Sequence, residues 1–104
     1  MERKFHSTEW EGLAPLIGNA IVTGMAFLRS TAPMKEEERN ELEQKLAEVR
    51  GLLNKFVNFI AAKVKDEDLA GQMGASGDRL REEVQRLNEL MTRIAMNVVK
   101  RASE

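Results

Sequence analysis

Hydrophobic positions in the second and last thirds of this chain recur with a helical period. Leu42, Leu46, Val49, Leu53, Phe56 and Ile60 are spaced alternately four and three apart, and Val64 continues the row. Leu80, Val84, Leu87, Met91, Ile94 and Val98 repeat the alternation. That spacing keeps side chains on one face of an α-helix, and held over about three heptads it makes a coiled-coil seam. The residues between are largely charged. Arg79, Glu82, Glu83, Arg86, Glu89 and Arg93 are assigned to the outer face of the last segment, where Glu82–Arg86 and Glu89–Arg93 form favourable i,i+4 pairs. The β-branched pairs Ile21-Val22 and Val98-Val99 both lie inside helical patterns, so no segment reads as a strand.

The first third breaks the pattern. Gly12 to Leu28 reads GLAPLIGNAIVTGMAFL and carries no charge, in a chain whose residues are 32% charged. Leu13, Ile17, Ala20, Gly24 and Phe27 share one helical face, while Leu16, Ile21, Val22, Met25 and Leu28 run round its sides. A helix apolar on every side must be covered on every side.

Punctuation places the elements: a frayed N-terminus over 1–7, helix 1 over 8–31, helix 2 over 33–65, a loop over 66–77 with room for one helical turn, and helix 3 over 78–102. Thr8-Glu9-Trp10-Glu11 has the form of a capping box, but Pro15 then falls inside the helix. The favoured expectation is that a first turn breaks off and the main helix opens with Pro15 at its first position; the alternative is a start at Thr8 with a kink. Pro33 can open helix 2, with Glu36, Glu37 and Glu38 at the positive end of its dipole and Lys63 and Lys65 at the other. Asp66-Glu67-Asp68 can cap a short turn ended by Gly74. Gly74-Ala75-Ser76-Gly77 reads as the loop proper, with Ser76 or Asp78 capping helix 3.

These elements predict one all-α domain over 1–104: an antiparallel three-helix bundle made of a long helix 2–helix 3 hairpin and a shorter, highly apolar helix 1. At 1.5 Å per residue helix 2 spans about 48 Å, and helix 1, counted from Pro15, about 26 Å. A helix so short leaves part of the hairpin uncovered, including Leu52, Val57, Phe59 and Ala61 on helix 2 and Leu90, Met96 and Val99 on helix 3. Homo-oligomerisation, with a dimer favoured, would complete the core.

Charge and composition narrow the function. Sixteen basic residues against seventeen acidic ones leave no basic surplus, which argues against nucleic acid as a partner. The chain has no cysteine, so disulfides and thiolate metal sites are ruled out, and a cytoplasmic location is expected. Ser30-Thr31-Ala32 has a trace of a signal-cleavage pattern, but Glu2, Glu9 and Glu11 before the apolar run, Arg29 inside the site and Pro33 after it argue against one. The uncharged run is shorter than the roughly 20 residues of a membrane span and includes Pro15, Gly18, Asn19, Thr23 and Gly24.

Candidate chemistry is sparse. His6 is the single histidine, with no second ligand beside it, and Asp66-Glu67-Asp68 lacks the spacing and central glycine of a calcium loop. No phosphate-binding loop, nucleophile motif or ExxH pair is present. No catalytic residue, cofactor or metal is therefore assigned, and a non-enzymatic role is expected. Ala20 and Gly24, four apart, allow close helix approach within or between chains. Asn19 can set helix register or lie at the core edge. Asn54 and Asn58 belong to a solvated strip. Trp10 can close the end of the bundle or anchor a partner.

The expected function is that of an adaptor, inhibitor or assembly factor that self-associates and binds a protein partner through apolar helix surfaces. The interface is expected at Trp10, Leu13, Leu16, Ile17, Ala20, Ile21, Gly24, Met25, Phe27, Leu28, Leu52 and Phe59. One alternative is a small-molecule binding or sequestering module with a pocket around helix 1, lined by Met25, Phe27 and Leu28. Another is membrane association through residues 12–28.

Overall fold

The computed structural model describes the backbone of residues 7–30, 33–61 and 67–103, and the side chains within 11–30, 33–58 and 74–103. Three α-helices pack together: α1 (Ser7–Arg29), α2 (Glu36–Ala61) and α3 (Glu67–Ser103). No strand occurs among the described residues. The core gathers Leu13, Ile17 and Ala20 from α1, Leu42, Leu46, Val49 and Phe56 from α2, and Leu80, Val84, Leu87, Leu90, Met91 and Ile94 from α3. Among the described side chains both four-three seams therefore face inward, with Leu53 and Val98 only half-buried; Ile60 and Val64 lie outside them.

Several element boundaries differ from the expectation. α3 begins at Glu67 and runs unbroken through 74–77, so the loop over 66–77 and the Ser76 or Asp78 cap are corrected. Gly74 and Gly77 are buried inside that helix. A glycine in a helix interior costs about 1 kcal/mol relative to alanine, a cost offset where the missing side chain permits closer packing.

α1 begins at Ser7 and contains Pro15, so the favoured start at Pro15 is also corrected, and Thr8 lies within the helix instead of capping it. Pro15 points to solvent, where the carbonyl it leaves unpaired one turn back is open to water. α2 starts at Glu36; Pro33 belongs to the connection and not to the helix. Lys63, Lys65 and Asp66 lie outside the described residues, as does His6.

The lengths change with the boundaries. At 1.5 Å per residue α1, α2 and α3 span about 34, 39 and 55 Å. α1 therefore nearly matches α2, and the overhanging element is α3. Its length sets that of the molecule, whose extents are 57 × 19 × 18 Å.

The α1–α2 junction is held by polar contacts. Ser30 donates from its backbone N–H and its hydroxyl to the Phe27 carbonyl, and Arg39 donates to the Leu28 carbonyl. Two of the unpaired carbonyls at the end of α1 are thereby satisfied. At the start of α2 the Lys35 N–H donates to the Glu38 carboxylate at 2.9 Å, the backward half of a capping box. Arg101 of α3 donates to that carboxylate and to the Pro33 carbonyl.

Candidate functional site

Every expected interface residue can be placed except Trp10 and Phe59, which lie outside the described side chains. Leu13, Ile17, Ala20 and Gly24 are buried in the chain's own core. A Cβ built on Gly24 would stand 2.8 Å from Cδ2 of Leu46, so this glycine lets α1 approach α2 within one chain. The close-approach role of Ala20 and Gly24 is therefore intramolecular, and neither is free for a partner in this fold. Ile21, Met25, Phe27, Leu28 and Leu52 are half-buried. Leu16 is 51% exposed, and Val22, outside the expected set, is 67% exposed. Of the spare positions expected elsewhere, Leu90 is buried, whereas Val57, Met96 and Val99 are exposed.

The outward side of α1 is thus unlike its inward side. With 3.6 residues per turn, the side opposite Leu13, Ile17 and Gly24 carries Pro15, Gly18, Asn19, Val22 and Ala26, all exposed. Asn19 points away from the core, so a register-setting role inside it is corrected. Gly18 has nothing within 4 Å of the position a Cβ would take. Glu11 and Arg29 bound the strip, both are exposed, and neither has an ion-pair partner among the described residues. The segment Glu11–Arg29 is by length and composition apolar enough to cross a membrane.

Beside the Gly24–Leu46 contact lies an open recess of about 280 Å³. Met25, Leu28, Leu46 and Ala47 form its apolar part, and Arg29, Glu43 and Arg50 its charged part. Two of the three residues expected to line a pocket, Met25 and Leu28, are in it; Phe27 instead packs against the core.

The opposite groove, between α2 and α3, is polar. Glu83, assigned from spacing to the outer face, is 4% exposed and is corrected to the interior of this groove. Its carboxylate accepts from Lys45 of α2 at 2.8 Å and from Arg86 at 2.8 Å, while Lys45 also donates to Glu48. The Lys45 ammonium holds the Glu83 carboxyl below its ordinary range despite burial, with Arg86 adding to the effect. In return Glu83, opposed by burial and aided by Glu48, raises Lys45.

Glu38 is a second hub. Burial alone would raise its carboxyl, but the Lys35 N–H, Arg101 and Asn97 together hold it below the ordinary range. Arg93 reaches across to Glu41 at 2.7 Å, so the expected Glu89–Arg93 pair gives way to a contact between helices; Glu82–Arg86 remains at 3.5 Å. A charge beside a seam position, with an opposite charge at the matching level of the other seam, was the signal available for these links. Among the described residues no three His, Cys, Asp or Glu side chains converge as a metal site would require.

No family model matches this chain, and neither the curated proteins nor the solved structures contain a match. The geometry of α1 and its surroundings is therefore what bears on function.

Proposed function

We propose that this chain is a non-enzymatic helical interaction protein of the cytoplasm, which self-associates and binds a protein partner through an apolar helix surface. Its unit is an antiparallel three-helix bundle. Supporting that arrangement, the inter-helix pairs descend along α3 as they ascend along α2, from Glu38 with Arg101, through Glu41 with Arg93, to Lys45 with Glu83. Gly24 beside Leu46 and Leu28 beside Arg39 run in the same opposed sense between α1 and α2.

The observation that carries the reading is the uncharged outward side of α1, which extends between Glu11 and Arg29, while the described outward sides of α2 and α3 are mostly charged, with Val57, Met96 and Val99 as exposed apolar exceptions. An exposed face without charges or long polar side chains is suited to contact with another surface. The simplest cover is a second copy related by a twofold axis. Light scattering on the eluting peak tests this directly: a dimer is expected at micromolar concentration, and a monomer at every concentration overturns it.

A second reading, a small-molecule module, has the recess at Met25, Leu28, Leu46 and Ala47 in its favour. Its volume lies at the lower end of ligand sites, near 300 Å³. Thermal shift across metabolite and nucleotide panels would support it through a saturable rise in melting temperature, and a flat response would remove it.

A further inference from the structure

Glu11 and Arg29 lie five helical turns apart, so they share one angular position on α1, about 27 Å from each other. One is acidic, the other basic, and both are exposed without an ion-pair partner among the described residues. Midway between them along the helix axis is the level of Ala20, whose own side chain faces the core. Gly18 and Val22 flank the line that joins them, and their midpoint is also Ala20. Val22 projects into solvent with 67% of its surface exposed, while Gly18 faces open space. A projecting side chain, a gap and two opposite end charges are thus all arranged about one centre.

That arrangement is complementary to itself when reversed. In an antiparallel copy centred on Ala20, Glu11 meets Arg29 of the other chain at both ends, and each Val22 fits beside the other chain's Gly18. A parallel copy would set Glu11 against Glu11 and Arg29 against Arg29. We infer that α1 covers its outward side with α1 of a second copy, antiparallel and centred on Ala20, with Val22 over Gly18 of the second chain and Glu11–Arg29 ion pairs closing both ends. This rests on the self-association reading above and specifies its geometry. Gly24 beside Leu46 and Lys45 beside Glu83 place Ala20 about level with Asp78 of α3, roughly 10 Å from the middle of that helix, so the two elongated units are offset by about 20 Å and still overlap along most of their length.

Two experiments on the full chain test the inference. Glu11→Arg and Arg29→Glu are exposed substitutions that leave the core intact, to be confirmed by unchanged circular dichroism. Each alone should raise the dimer dissociation constant about threefold to tenfold, by removing two pairs and adding two repulsions. A one-to-one mixture of the two variants should recover wild-type affinity, because every end contact is again between opposite charges. In the second, the absence of native cysteine makes site-specific cross-linking clean. Gly18→Cys mixed with Val22→Cys should cross-link through a short bis-maleimide in higher yield than either variant alone. If the wild type is dimeric but the mixtures show neither recovery nor enhanced cross-linking, this geometry fails and self-association stands. A wild type that is monomeric throughout removes both readings. Flotation of such a monomer with phosphatidylglycerol–phosphatidylcholine vesicles would assign the strip to lipid instead.

Discussion

Glu83 and Gly24 show how much one position can depend on what stands opposite it. Glu83 is a carboxylate in the α2–α3 groove, kept charged by Lys45 and Arg86. Its folded pKa lies below that of the unfolded chain, so its pairing stabilises the fold above the ordinary glutamate range and is lost as pH falls through the folded value. Glu38 contributes with the same sign. Lys45 is raised, so its contribution is present below about pH 10.4 and is lost as pH climbs through its folded value. Urea unfolding should therefore show a plateau around neutrality with an acid and an alkaline limb. Glu83→Gln should cost about 1–2 kcal/mol at pH 7, and the difference from wild type should shrink as pH falls through the folded value of Glu83. Gly24 and Gly51 should respond to alanine with opposite signs. Gly24→Ala gains helix propensity but drives a Cβ against Leu46, for a net loss of about 1 kcal/mol. Gly51→Ala meets nothing within 4 Å and should stabilise by about 0.5–1 kcal/mol. Thermal or urea unfolding of the two variants reads both signs.

Among the elements, α2 was the easiest to read, because regular seam spacing and a charged outer face agree along its length. α1 and α3 were read less well, and in both the misleading signal was a local helix breaker. Pro15 suggested a boundary, and Gly74 with Gly77 suggested a loop. Each breaker costs a few kcal/mol at most, less than packing against two neighbouring helices can return. The continuity of α3 can be tested with Ser76→Pro. In a loop this change would be nearly neutral, whereas inside a helix it should cost about 3 kcal/mol. A fall in helicity and melting temperature is expected by circular dichroism; an unchanged melting curve would restore the loop.

The whole molecule is a rod. Its radius of gyration is 16.3 Å, against about 13 Å for a compact chain of this length. Three parallel-sided helices give a narrow cross-section and leave each helix one outward face. Charges solvate those of α2 and α3, but α1 has charges only at the ends of its strip. If two copies pair there with an offset of about 20 Å, small-angle scattering should report a maximum dimension of about 77 Å, with one cross-sectional dimension about doubled from its 19 × 18 Å. An end-to-end particle would nearly double the length instead.

Periodicity alone determined that the chain is helical and which faces of α2 and α3 turn inward, because burying an apolar seam is the largest favourable term and its spacing is written in the residues. The absence of charge singled out the run over 12–28, with Met25 and Leu28 inside it. The tertiary structure decided the rest. Whether Gly24 serves a contact within the chain, whether Glu83 is an outer or an inner charge, and whether Gly74 and Gly77 end a helix all depend on which side chain lies opposite. That information belongs to pairs of positions far apart in the chain, so no local pattern contains it. The same holds for α1: its sequence marks the segment as apolar throughout, and only packing shows that Leu13 and Ile17 turn inward while Pro15, Leu16, Gly18, Asn19, Val22 and Ala26 are exposed.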